Sequence, residues 1–180
     1  MALIKVQSEG INLADNFTFT GTVAGAGGGK VIQMVHDTTQ TITQTTSTSY
    51  IDVLKSSSTW EISITPTTAG NKILVMPTIK VGAGFGSNAE CRSTIKTQIK
   101  VGAGSYSDFI YEPAQNVGHY DYGGGGAGVG GYNFYSMTKA YTTSSTDIVT
   151  VKFQVKVSGL AVQVNSGGSD GMVTLLEIGA

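Results

Sequence analysis

A two-residue alternation of apolar and polar side chains recurs along this chain, and no long stretch shows a helical period. The clearest example is 148–157, IVTVKFQVKV, in which every second residue from Val149 to Val157 is apolar and those between are polar. Successive side chains of a strand point to opposite sides, so this pattern predicts a strand with one buried and one wet face. An all-β fold is therefore predicted.

The stretch WEISITPTTAGNKILVMPTIKV, which starts at Trp60, predicts two long antiparallel strands joined by a short turn. Its first residues alternate, and the run from Ile73 to Val81 is apolar enough to lie deep in a sheet. Proline has no amide hydrogen for a ladder, which places Pro66 in the turn and Pro77 at a strand edge or bulge. The single tryptophan is expected to anchor the core.

Further runs that resemble strands begin at Lys30, Tyr50, Cys91 and Met172, and glycine or Ser/Thr turns separate them. The Thr/Ser/Gln-rich stretch 38–49 predicts an exposed strand or a long loop. With around eight to ten short strands and almost no helix, the expected fold is an antiparallel two-sheet sandwich, jelly-roll-like.

The glycine-rich stretch AGAGGG, which ends at Gly29, separates an N-terminal segment, 1–29, from a sandwich domain, 30–180. The segment has too many apolar residues to be left in water alone. We expect it to pack against the same segment of other copies in a trimer or to dock on a larger particle. The alternative is that it folds back as an edge strand of its own domain. The candidate attachment residues are Leu3, Ile4, Val6, Ile11, Leu13, Phe17 and Phe19.

Composition excludes several classes of protein. Charged residues make up 13% and the formal net charge is -1, so the basic stripe of a nucleic-acid binder is absent. No signal peptide and no apolar run long enough to span a membrane is seen, which predicts a soluble protein made in a cytoplasm. Cys91 is the single cysteine, so we expect no internal disulfide and a small buried apolar side chain.

Catalytic, metal and cofactor sites are not predicted. His36 and Asp37 would point to opposite faces of a strand. His119 and Asp121 would share a face of an extended chain, but two ligands do not make a zinc site. The Gly-x-Gly-x-x-Gly string that starts at Gly123 leads into strand or loop residues, whereas a dinucleotide fold needs a helix there.

Aromatic side chains flank the glycine-rich segment HYDYGGGGAGVGGYNFY, which starts at His119. Tyrosine offers a large contact area with a polar tip, as in binding loops. We expect this segment either to contact a receptor or to pack against a neighbouring subunit. The candidate receptor contacts are Tyr111, His119, Tyr120, Tyr122, Tyr132, Phe134 and Tyr135.

A Thr/Ser-rich run, the stretch SITPTTAGNKILV, a glycine stop, an arginine-bearing strand and a closing LLEIGA follow one another from Lys30 to Ala180. This order resembles the short fibre and tail-tip proteins of bacteriophages, and KVQSEGINLADNFTFTGTV is similar to their attachment ends. The resemblance implies a non-enzymatic virion surface protein, assembled in the host cytoplasm. It further implies a homotrimer that joins other virion proteins through its N-terminus and presents loops to a host glycan or protein.

Two alternatives remain open at this stage. A capsid decoration or head-fibre protein would use the same N-terminal segment to bind the head lattice. A small sugar-cleaving sandwich would need a carboxylate pair, for which Asp108 with Glu112 and Asp121 are the candidates.

Overall fold

The computed structural model describes residues 30–83, 91–111, 118–120, 131–158, 161–165 and 170–179. These residues form fifteen strand segments and no helix. One sheet contains β1 (Val31–Thr39), β2 (Thr43–Thr45), β7 (Lys72–Ala83), β11 (Gly131–Ser136), β12 (Lys139–Thr142), β14 (Val162–Val164) and β15 (Gly171–Ile178). The other contains β3 (Ile51–Asp52), β6 (Glu61–Ile64), β8 (Cys91–Val101), β9 (Ser107–Ile110), β10 (Gly118–Tyr120) and β13 (Val149–Val157). A small separate hairpin contains β4 (Leu54–Lys55) and β5 (Ser58–Thr59).

The strand pairing has the nested order of a jelly roll. The first strand, β1, pairs with the last, β15, and β6 pairs with the late strand β13. Inside these, β7 pairs with β11 and β12, and β8 pairs with β9 and β10. All of these pairs are antiparallel, so the prediction of an all-β, antiparallel two-sheet sandwich is confirmed.

The core lies between the two sheets and follows the predicted alternation. On β13 the residues from Val149 to Val157 that were predicted to face inward are buried. Trp60 is fully buried and its ring centroid lies 5.1 Å from that of Phe153, as expected for an anchor of the core. Its indole Nε1 donates a hydrogen bond of 3.0 Å to Asp37, so the polar edge of the ring is also satisfied.

The predicted hairpin over 60–81 is wrong. β6 pairs with β13 in the six-stranded sheet, whereas β7 lies in the seven-stranded sheet, so residues 65–71 connect one sheet to the other. Both strands present buried isoleucines to the shared core, Ile64 from one side and Ile73 from the other. An alternating strand needs one buried face. Two consecutive strands can each have one whether they pair within a single sheet or lie in opposite sheets across the core.

The two prolines of this stretch occupy different settings. Pro66 lies in the connection, as predicted. Pro77 lies within the central strand β7, and not at a sheet edge. On one side of β7, Val75 pairs with Lys139 of β12 and Thr78 pairs with Ser136 of β11. The pairing on this side is therefore interrupted at Pro77. A residue without an amide hydrogen is tolerated at such an interruption.

A buried carboxylate holds the connection between the sheets in place. Glu177 on β15 is fully buried and accepts hydrogen bonds from Gln33 Nε2 (2.6 Å) and Asn71 Nδ2 (2.7 Å). Thr67 adds two more, from its backbone N–H at 2.7 Å and its hydroxyl at 2.8 Å. We call these four residues the Glu177 cluster. It joins the closing LLEIGA to the TTAGN of the connection, so the stretches that carry the resemblance contact each other.

Candidate functional site

The N-terminal segment and the glycine- and tyrosine-rich segment join the sandwich at opposite ends. Val31, next to the N-terminal segment, pairs with Ile178, which also pairs with Lys72 at the start of β7. Gly131, which follows the glycine-rich residues, pairs with Ala83 at the other end of β7. The twelve residues of β7 separate these ends by roughly 40 Å at the usual rise of a strand.

The strands on either side of 121–130 come from different sheets. β10 pairs with the start of β8, where Tyr120 lies opposite Cys91, and β11 pairs with the end of β7. The two strands thus bring both flanks of the glycine-rich residues to one end of the sandwich. The backbones of His119, Tyr120 and Tyr132 lie at this end.

The candidate aromatic residues do not form one surface. Tyr111 is exposed on the outer side of the six-stranded sheet, and Phe134 is 60% exposed on the outer side of the seven-stranded sheet. Tyr135 is a core residue, and its prediction as a receptor contact is wrong, because its side chain is only 2% exposed. The hydroxyls of Tyr135 and Thr97 form a hydrogen bond of 2.9 Å, and burial raises the pKa of Tyr135 to about 12.

Several predicted residues lie outside the described residues. These are Tyr122, Asp121, Glu112 and the glycine string, together with all seven candidate attachment residues of the N-terminal segment.

Sequence reasoning missed a surface of lysines and tyrosines on the outer side of the six-stranded sheet. β8 and β13 each contain a Lys-x-Gln-x-Lys pattern on their wet face, and the register places Lys96 opposite Gln154 and Gln98 opposite Lys152. The signal was present in the alternations IKTQIK and VKFQVK, but only the pairing of these two strands brings them together. We call this surface the lysine–tyrosine face; it contains Tyr50, Tyr106, Tyr111, Lys96, Lys100, Lys152 and Lys156.

Each of two tyrosine rings contacts two ammonium groups on this face. The ring of Tyr50 lies 4.4 Å from Lys96 Nζ and 4.8 Å from Lys156 Nζ. The ring of Tyr106 lies 4.7 Å from Lys100 Nζ and 4.5 Å from Lys152 Nζ. These distances are within the range of cation–π attraction, which fixes the rings relative to the sheet.

Carboxylates lie beside three of the four lysines, Lys96, Lys100 and Lys152. Asp108 lies 2.7 Å from Lys96, and Asp52 lies 2.9 Å from Lys152. The hydrogen bond from Lys96 lowers the pKa of Asp108. Burial favours a higher pKa for Asp52, but hydrogen bonds, first that from Lys152, lower it. Asp108 is thus held ionised, which is the opposite of what a general acid requires.

Tyrosine rings among lysines, carboxylates and glutamines form a polar surface with aromatic patches. Such a surface can pack against a sugar ring or a protein surface and hydrogen-bond its polar groups. Because Lys96, Lys100 and Lys152 each lie within 4.0 Å of a carboxylate, the lysine–tyrosine face does not offer the run of unpaired positive charge that phosphate backbones need.

Metal-binding and acid–base groups are sparse in the part of the chain that the structure describes. No group of three or more His, Cys, Asp or Glu side chains there could hold a metal ion. His36 is exposed and its Nδ1 lies 2.9 Å from Thr174 Oγ1, whereas Asp37 faces the other way, toward Lys55 and Trp60. The prediction that this pair is split between two faces is confirmed. These same residues contain no helix able to cross a membrane.

Comparison of the sequence with known protein families and with curated protein sequences found no match.

Proposed function

We propose that this chain is a non-enzymatic bacteriophage virion surface protein, a homotrimeric fibre or tail-tip module that attaches by its N-terminal segment. The observation that carries the proposal is the position of the two ends. The N-terminal segment joins the sandwich beside Lys72, and the glycine- and tyrosine-rich segment joins it beside Ala83, at the opposite end of β7. A module with this layout can hold a particle at one end and meet a host surface at the other.

The chemistry of the two segments suits these roles. The seven candidate attachment residues of the N-terminal segment are large and apolar and need a partner to exclude water, and other virion proteins or other copies of the chain supply one. The opposite segment carries tyrosines among glycines, a composition that recognises glycans and protein surfaces. In this proposal the sandwich between them is a spacer that keeps the two functions apart.

Gold-labelled antibody against this chain, viewed on intact particles by electron microscopy, tests the proposal. Label at the tail supports a fibre or tip protein with host-receptor binding. Label distributed over the head replaces it with the alternative, a decoration or head-fibre protein bound to the head lattice. Particles without label, from a lysate in which the antibody detects the chain, would overturn both.

A further inference from the structure

The lysine–tyrosine face consists of two similar halves. In each half an aspartate accepts one hydrogen bond from a lysine and one from a glutamine two positions away on the same strand, and a tyrosine ring contacts that lysine. The Tyr50 half contains Asp108, Lys96 and Gln98, and the Tyr106 half contains Asp52, Lys152 and Gln154. The antiparallel register of β8 and β13 produces this repetition, because it places each lysine opposite the glutamine of the other strand.

The polar groups of the Tyr106 half are matched to one another. The second lysine of this half, Lys100, lies 4.0 Å from the carboxylate of Glu61. The hydroxyl of Tyr106 donates a hydrogen bond of 2.6 Å to the same carboxylate. Two lysines therefore face two carboxylates, and the tyrosine hydroxyl is satisfied.

The Tyr50 half has no counterpart of Glu61. Its second lysine, Lys156, is half-buried and lies 4.8 Å from the Tyr50 ring, but it has no carboxylate partner in the part of the chain that the structure describes. The Tyr50 hydroxyl is buried and has no hydrogen-bond partner among those same residues, although buried hydroxyls normally have one. Two lysines here face one carboxylate, that of Asp108, which leaves this half with a net charge of +1.

An exposed aromatic ring lies beside the unmatched lysine and hydroxyl. Tyr111 is 40% exposed, and its ring centroid lies 6.2 Å from that of Tyr50, with an angle of 78° between the two ring planes. A tyrosine ring offers apolar area with a polar tip, which suits the C–H groups and hydroxyls of a sugar ring. The Tyr50 half thus combines a stacking surface with an unmatched positive charge.

We propose that the Tyr50 half binds a sugar that carries a carboxylate, such as a uronic or a sialic acid. The sugar carboxylate pairs with Lys156, as Glu61 does with Lys100 in the other half, and the sugar ring packs against Tyr111. One unmatched ammonium group fits a single carboxylate, whereas a polyanion would need several. This site lies on the side of the sandwich, so it is additional to the proposed contact at the end beside Ala83.

Saturation-transfer difference NMR on the full chain tests this site. The acidic probes are methyl β-glucuronide and the methyl glycoside of N-acetylneuraminic acid. The neutral probe is methyl β-glucoside, which has a hydroxymethyl group in place of the carboxylate of the glucuronide. We expect an acidic probe to bind with millimolar affinity and the glucoside to bind about tenfold more weakly, because the ion pair is lost. Added salt should weaken the binding of the acidic probe.

Two lysine variants locate the binding. Lys156→Gln should abolish the preference for the acidic probe. Lys100→Gln is the matched control, because it removes the same charge from the Tyr106 half, and it should bind the probes as the wild type does. Both lysines are partly exposed, so the urea midpoints of the two variants should stay close to that of the wild type.

Failure of both acidic probes to bind, equal binding of the glucuronide and the glucoside, or equal effects of the two lysine variants would each overturn the inference. Displacement of the acidic probe by an equal concentration of sodium acetate would also overturn it, because a bare carboxylate would then be sufficient and the sugar ring would contribute nothing. The position of the gold label on the particle does not depend on any of these results, so the proposed function is tested separately.

Discussion

At the scale of single residues, the Glu177 cluster explains why an acid is placed inside the sandwich. Burial alone favours a raised pKa for Glu177, but hydrogen bonds from Asn71, Gln33 and Thr67 outweigh it and lower the pKa to about 2. The carboxylate is therefore ionised and satisfied without a cation, and it fixes the connection between the two sheets.

Replacing this carboxylate should destabilise the fold. Glu177→Gln removes the charge and directs an amide N–H₂ group toward donors, and we expect the free energy of unfolding to fall by about 2–4 kcal/mol. Urea denaturation measures the loss. Glu61→Gln is the matched control, since Glu61 is an exposed acid that accepts a hydrogen bond from Tyr106 of the lysine–tyrosine face, and it should cost less than about 1 kcal/mol. Equal losses in the two variants would contradict this account of Glu177.

The same carboxylate predicts a pH dependence. Its pKa in the folded protein, about 2, is below the ordinary value of 4.5, so its contribution to stability is complete above that ordinary value. The contribution is lost as the pH falls from 4.5 toward 2, because the folded state must then take up a proton against the hydrogen bonds. Urea unfolding over this range should show a steeper loss for the wild type than for Glu177→Gln. Parallel curves would mean that Glu177 titrates normally.

At the scale of elements, the sequence predicts which residues are strands and which of their side chains are buried, because alternation is local. β13 is the clearest case, with Val149 to Val157 buried as expected. Alternation does not predict the partner of a strand. β6 and β7 follow each other in sequence, but they lie in different sheets because seven residues are enough to cross between them.

The same limit explains the outcome for the aromatic residues. Phe134 and Tyr135 are adjacent on β11, so one must face outward and the other inward. Phe134 and Tyr135 were both predicted as receptor contacts, because composition alone does not tell which of the two side chains is buried. Only the pairing of β11 with β7, whose Ile79 and Val81 are buried, puts Tyr135 into the core.

A hydrogen bond across the core connects the two sheets at this point. The Tyr135 hydroxyl on β11 and the Thr97 hydroxyl on β8 are 2.9 Å apart and buried. Tyr135→Phe and Thr97→Val should each cost about 1–2 kcal/mol, since each leaves the other hydroxyl unsatisfied. The double variant should cost less than the sum of the two, by about 1 kcal/mol in a urea-denaturation cycle. Strictly additive losses would show that the hydroxyls do not stabilise each other.

At the scale of the whole molecule, the candidate contact surface was only partly predictable. The sequence places tyrosines on both sides of a glycine-rich segment. Which of these tyrosines share a surface depends on strand pairing between residues that are far apart in sequence. Tyr111 belongs to the lysine–tyrosine face because β9 pairs with the middle of β8, whereas Tyr120 and Tyr132 lie at the end of the sandwich. The lysine–tyrosine face itself needs β8 and β13 to be neighbours, although 52 residues separate Lys100 from Lys152.

If the end of the sandwich beside Ala83 is the receptor contact, changing Tyr120, Tyr122 and Tyr132 to Ser should abolish binding to host cells. The melting temperature should change little, since this end is separated from the Glu177 cluster by most of the length of β7. Tyr111→Ser is the matched control because it removes a candidate tyrosine from a different surface. Binding lost only in Tyr111→Ser would move the contact to the lysine–tyrosine face, and unchanged binding in the triple variant would refute the end contact.

Removal of residues 1–29 should separate folding from attachment. The described sandwich contains its own core and the complete Glu177 cluster, so the shortened chain should keep the strand signature of the wild type in circular dichroism. It should no longer join particles, because the seven apolar residues that the proposal uses for attachment are gone.

Western blots of purified particles, made in cells that produce the shortened chain in place of the wild type, measure incorporation. A control with those seven residues changed to Ser at full length should also fail to join. Incorporation at the wild-type level in either case would place the attachment surface on the sandwich itself.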